Sequence, residues 1–135
     1  MSDEAQPVDL LAPIAKRDGA RQIAYGIALE PRTPDDPDLQ GDWYTADDIE
    51  RAAHHFMSEV TKGSGFSDLM HDGRTRAGYP VESYIAPVDF DLGDQHVRKG
   101  SWVVGMHYPD AEIWKGIVEG RYAAFSVGGF GSRED

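Results

Sequence analysis

The side chains of this sequence best placed for nucleophilic acyl chemistry are the Ser126 hydroxyl, the His71 imidazole and one of several carboxylates, Glu82 foremost. A serine attacks a carbonyl only when a base takes its proton, and the base works best when a third group fixes its tautomer. Ser126 lies in an alternating segment in which Tyr122, Ala124 and Ser126 share one parity and Ala123, Phe125 and Val127 the other. The pattern predicts a strand with the hydroxyl on the face of small Ala124. Gly128 and Gly129 follow at once. Two glycines let a substrate backbone approach closely and expose amide N–H groups that can hold an oxyanion. The same spacing also suits a hydrogen-bonded core serine in front of a glycine bend.

His71 closes an apolar run (Phe66, Leu69, Met70) just before the polar turn Asp72-Gly73-Arg74-Thr75-Arg76. An imidazole there is half-buried yet reachable, which a general base needs, although strand ends also hold structural histidines. His54 and His55 fall mid-helix beside the apolar stripe, His96 near a turn and His107 ahead of a helix cap. Glu82, Asp68, Asp72 and Asp89 are the candidates for the orienting carboxylate. Glu82 stands out because it interrupts the extended run from Tyr79 to Ile85, where a carboxylate needs a partner; an exposed edge-strand glutamate that discourages aggregation is the alternative. Metal chemistry has weaker grounds. Adjacent histidines on a helix point about 100° apart, and the chain has no His-Glu-x-x-His, calcium-loop, Walker, Gly-x-Gly-x-x-Gly or Gly-x-Ser-x-Gly pattern. No metal and no cofactor are expected.

The elements that must position these groups can be read from periodicity. The 135 residues suit one domain. Residues 1–19 mix acids, Pro and Gly with a short apolar patch (Val8, Leu10, Leu11, Ile14) and read as a mobile N-terminal arm, leaving 20–135 as the domain proper. Ile23, Tyr25, Ile27 and Leu29 alternate with smaller residues as in a half-buried strand. Glu30 to Asp42 carries three prolines and four aspartates and must be a surface loop. Thr45 and Asp48 form a capping-box pattern ahead of an amphipathic helix with Ile49, Ala52, Ala53, Phe56, Met57 and Val60 on its stripe, stopped by Lys62-Gly63.

An extended run from Tyr79 to Phe90 and a turn at Asp91 to Asp94 come next. Ser101 to Tyr108 is apolar on both parities and reads as a central strand covered on both faces. Asp110 caps a short helix with Ile113, Trp114, Ile117 and Val118 buried, ended by Gly120, and Tyr122 to Val127 returns as a strand. The expected fold is α+β and β-rich: a small closed or partly open β-barrel with two packed helices.

Composition closes several functional classes. With no cysteine, disulfides, thiolate metal sites and a cysteine nucleophile are excluded. Thirteen basic against 24 acidic side chains give a net charge of −11, which opposes nucleic-acid binding. No apolar run is long enough for a membrane span, and Met1 to Pro7 has no basic flank, so a cytosolic chain without an anchor is expected.

The order of segments carries more than any single motif. Between Gln22 and Gly129 the strings Q-I-A-Y-G-I-A-L-E-P, A-A-H-H-F-M, L-M-H-D-G, V-E-S-Y-I-A-P-V-D-F, K-G-S-W-V-V-G, E-I-W-K-G-I-V-E-G and F-S-V-G-G closely resemble the XkdF-like phage serine proteases, over about four-fifths of the chain. These belong with the capsid-maturation, or prohead, proteases of tailed phages. The resemblance implies a fold like the herpesvirus assembly protease and a Ser/His mechanism acting on scaffold during procapsid maturation. It places the catalytic histidine of L-M-H-x-G at His71 and the serine of F-S-x-G-G at Ser126, with Glu82 of V-E-S where an acidic third member would stand.

Further expectations follow from the same resemblance. The partners would be phage scaffold and major capsid protein, with self-association through the first helix, inside the procapsid in the bacterial host. The 30–42 loop would serve as a wall or lid. Such proteins usually continue well beyond this point, so the chain would be a trimmed form, a self-processed product, or a short variant whose oxyanion donors come from Gly128 and Gly129. A catalytically silent protease-fold module that binds coat or scaffold protein is the contrasting expectation.

Overall fold

The computed structural model describes residues 10–63 and 77–127. In chain order these form β1 (Leu10–Asp18), β2 (Ile23–Leu29), α1 (Ala46–Thr61), β3 (Tyr79–Ile85), β4 (Phe90–Leu92), β5 (Gln95–Val97), β6 (Trp102–His107), α2 (Ala111–Val118) and β7 (Ala124–Val127). Five strands make one antiparallel sheet in the order β3-β6-β2-β1-β7, and β4 and β5 form a separate two-stranded sheet. The large sheet curls into a half-barrel, giving the α+β, strand-rich, partly open barrel with two helices that the periodicity predicts.

The sheet has two covered faces, and β6 shows why both of its parities are apolar. Trp102, Val104 and Met106 join the core that also holds Ile49, Ala53 and Phe56 of α1 and Trp114 and Ile117 of α2. Val103 points the other way, into a second cluster with Ala15, Leu92 and Val97 under the β4–β5 hairpin. Trp102 anchors the helical side: its ring meets Phe56 at 5.5 Å between centroids and its Nε1 donates to Ser83 Oγ at 2.9 Å. Each large apolar side chain buried in this way contributes about 1.5–3 kcal/mol.

Local chemistry sets the element ends. Thr45 Oγ1 accepts from the Asp48 amide and the Asp48 carboxylate accepts from the Thr45 amide, a reciprocal capping box. Asp110 caps α2 by accepting from the Glu112 and Ile113 amides. The β4–β5 turn depends on Gly93, whose φ of 61° disfavours side chains and whose added Cβ would stand 1.9 Å from the Ala15 carbonyl oxygen. Gly93 therefore seats the hairpin directly on the backbone of β1, next to the register irregularity between Ile14 and Lys16.

Three expectations need correction. Leu10–Asp18 is a full strand inside the sheet, paired with both β2 and β7, so the segment read as an arm to residue 19 is framework from Leu10 onward. Its alternation is hard to see because the irregularity between Ile14 and Lys16 interrupts it. The run Tyr79 to Phe90 breaks after Ile85, where the chain leaves the large sheet to build the hairpin. Met57 and Val118 are exposed at the edges of their helical stripes. The apolar run from Phe66 to His71, read as ending a strand at the histidine, lies outside the described residues.

The Gly93→Ala variant should lose about 2 kcal/mol or more of unfolding free energy, because it meets backbone and adopts an unfavourable φ at once. Thr45→Ala should lose about 1 kcal/mol. Urea denaturation followed by circular dichroism measures both, and a Gly93→Ala loss no larger than that of Thr45→Ala would contradict the seating of the hairpin.

Candidate active site

Ser126 stands on β7, at one margin of the five-stranded order, and is held there by β1: Leu10 faces Val127, Leu11 faces Ser126, Ala12 faces Phe125 and Pro13 faces Ala124. Phe125, Val127 and Ala12 all enter the helix-side core. The alternation therefore sends Ser126 and Leu11 to the opposite face, as expected from the parity of the sequence. Ser126 is 5% exposed, whereas its neighbour Leu11 is 45% exposed.

Beyond Leu11 an open groove of about 510 Å³ runs across that face. Leu11, Pro13, Ile27 and Leu29 supply its apolar floor, and Glu30, Arg32, Asp38 and Leu39 of the proline-rich loop its wall. The loop is fixed by cations. Arg32 pairs with Glu30 and Asp36 and donates to the Pro37 carbonyl, and Arg98 donates to the Pro31 carbonyl and to Asp36. Asp38 Oδ1 accepts from the Gln40 and Asp42 amides, which closes the tip.

Glu82 is on β3, at the other margin of the strand order, with β6, β2 and β1 between it and β7. Four strand spacings measured along the sheet amount to ~19 Å. Its carboxylate accepts from the Tyr25 hydroxyl at 3.0 Å. Tyr25 reaches it by lying across Gly105, where any Cβ would come 2.9 Å from the ring, and the Lys16 ammonium sits 5.4 Å from the ring centroid. Burial first, and then the bond to Glu82, push the Tyr25 phenol up to about 12. Lys16, Tyr25, Glu82 and Tyr84 line a second groove of about 440 Å³ under the hairpin.

His71, Gly128 and Gly129, and the alternative carboxylates Asp68 and Asp72, lie outside the described residues. Asp89, another alternative, belongs to a cluster that periodicity did not single out. The His96 ring lies between Asp91, at 2.9 Å from Nδ1, and Asp89, at 3.4 Å from Nε2, and Asp89 also accepts from the Lys99 amide at 2.7 Å. The bonds to Asp91 and then Asp89 raise the His96 pKa, and the Lys99 amide and then His96 lower that of Asp89. The signal was present in the hairpin register, which places Asp91 opposite His96. Among the described residues no three His, Asp or Glu side chains converge on a point that would hold a metal ion.

Two outcomes follow from these contacts. In Glu82→Gln the Tyr25 phenol should titrate below about 12 but still above an ordinary tyrosine, because the larger cause, burial, is untouched; ultraviolet titration reads this directly. For His96 the folded-state pKa is raised, so its contribution to hairpin stability is present in full below its unfolded pKa and is lost as pH rises through the folded value. The Asp91→Asn variant should lower the His96 pKa in an NMR titration, and an unchanged value would contradict the pairing.

The family described as "Putative phage serine protease XkdF" matches residues 11–135. Two proteins of Bacillus subtilis (strain 168) are similar to this chain. "Phage-like element PBSX protein XkdF" is 39% identical over 109 residues, covering 81% of this chain and 37% of that protein. "Uncharacterized protein YqbD" is 36% identical over 116 residues, covering 86% of this chain and 34% of that protein. The chain thus spans about a third of the length of the curated relatives it matches. No solved structure matches. The family match over residues 11–135 and the 39% identity to one of these relatives make this chain a member of the family described as "Putative phage serine protease XkdF".

Proposed function

We propose that this chain is the protease domain of a prohead protease, a serine endopeptidase that cleaves scaffold or capsid-precursor peptide bonds during procapsid maturation. The observation that carries the reading is the position of Ser126 in a family-matched strand, in register with Leu11 at the head of the groove. In this mechanism His71 takes the Ser126 proton, the oxygen attacks the scissile carbonyl, and amides around Gly128 and Gly129 hold the resulting oxyanion. His71 then returns the proton to the leaving amine, and water releases the acyl group by the same steps.

Glu82 has a competing duty, since its carboxylate is engaged by Tyr25 and its strand lies at the other margin of the sheet order. We therefore assign it to holding Tyr25 and leave the orienting role to another group. The partners in this reading are the scaffold and the major capsid protein, met inside the procapsid in the bacterial host.

A second reading, a catalytically silent module that binds coat or scaffold protein, is favoured by one observation: Ser126 is 95% buried, which suits a structural hydroxyl. Incubating the chain and its Ser126→Ala and His71→Ala variants with a scaffold segment, followed by intact-mass analysis, separates the two. The protease reading expects cleavage by the parent chain, reduced roughly 10³-fold or more in each variant. Equal product from parent and variants, or none from any, would favour the silent module.

A further inference from the structure

We propose that the groove between β1, β2 and the 30–42 loop selects an extended peptide in which a large apolar side chain is flanked by lysine or arginine. The proposal rests on the protease reading for its link to Ser126, and names the substrate class of that site.

Position comes first. Leu11 is the register partner of Ser126 and projects from the same face, so the groove begins one strand spacing, about 5 Å, from the hydroxyl. A peptide lying in it would present its backbone near Ser126 while its side chains occupy the groove. The volume of about 510 Å³ falls in the range of pockets that enclose small ligands or a few residues of peptide.

Apolar chemistry is second. Leu11 on β1 is 45% exposed and Leu39 on the loop is fully exposed, and the two line the groove together, Leu39 in its wall and Leu11 with Ile27 and Leu29 in its floor. Large apolar side chains left in water around one concavity favour an apolar occupant, which would remove them from solvent together.

Charge is third and supplies the flanks. Glu30 and Asp38 line the groove against one guanidinium, Arg32, and the same loop also carries Asp35, Asp36 and Asp42, of which Asp36 pairs with Arg98, so the loop stays negative in sum. Arg32 is already committed to Glu30 and Asp36. At the far end His96 is bracketed by Asp89 and Asp91, so that margin is also negative in sum. A wall of this sign attracts cationic flanks and repels acidic ones, which sets specificity more than raw affinity. Because the arginine clamps and the Asp38 turn hold the loop in place, little ordering is needed when the peptide docks.

The test uses the Ser126→Ala chain, so that binding is read without turnover. Fluorescence anisotropy compares two labelled peptides that differ only in whether a central leucine is flanked by lysines or by glutamates. The lysine peptide should bind at least about tenfold more tightly at low salt, with the gap narrowing as salt screens the wall. Leu39→Ser and Leu11→Ser should each weaken that binding by about tenfold, with an unchanged melting temperature for the fully exposed Leu39 and a variant still folded by circular dichroism for the half-buried Leu11. Equal affinity for the two peptides, or full affinity in both leucine variants, would overturn the proposal.

Cleavage by the parent chain is scored separately. Ser126-dependent cutting that ignores flanking charge and both leucines keeps the protease reading and defeats the groove assignment. Selective binding without any cutting keeps the groove assignment and defeats the protease reading.

Discussion

Strand β6 has no solvent face, and that constraint orders the rest of the molecule. Its Trp102, Val104 and Met106 require a helical layer, which α1 and α2 provide, and its Val103 requires cover from the other side, which the β4–β5 hairpin provides. At Gly105 the strand has no side chain, and the vacant position is taken by the ring of Tyr25 on its way to Glu82. A sheet with one wet face would not need the hairpin. Without the hairpin, the far rim of the groove beside Ser126, formed by Gln95 and His96, would be missing.

The parts of this arrangement that rest on short-range chemistry are legible in the sequence. Thr45 with Asp48, Asp110 ahead of an apolar stripe, and a run apolar on both parities each have one dominant structural reading, and the structure follows it. Ser126 is legible for the same reason: Phe125 and Val127 are too apolar to leave the core, so the serine between them has to face outward. What the sequence hides is pairing between distant segments. β1 looks like an arm because its alternation changes phase between Ile14 and Lys16, and only its ladders to β2 and β7 reveal a strand.

Glu82 illustrates the same limit at the level of a site. Its need for a partner can be inferred from an interrupted apolar run, but the partner is Tyr25, 57 residues away, made reachable by a glycine on an intervening strand. No local pattern encodes that triangle. The His96 cluster was hidden differently: three exposed polar residues on a short hairpin look like ordinary turn composition until the register sets Asp91 opposite the imidazole.

Strand β1 carries two ladders end to end. Residues Leu10 to Pro13 set the register of β7 and Ser126, whereas Ile14 to Asp18 form the ladder to β2, with the irregularity between Ile14 and Lys16 inside that second ladder. Such a strand acts as a splice between two frames. A one-residue shift confined to the first ladder would exchange Ser126 with Phe125, turning the hydroxyl into the core and the ring into the groove while the rest of the sheet kept its pairing. The facing of the candidate nucleophile is thus decided by the insolubility of its two neighbours, which hold the strand in phase whatever chemistry the residue between them performs.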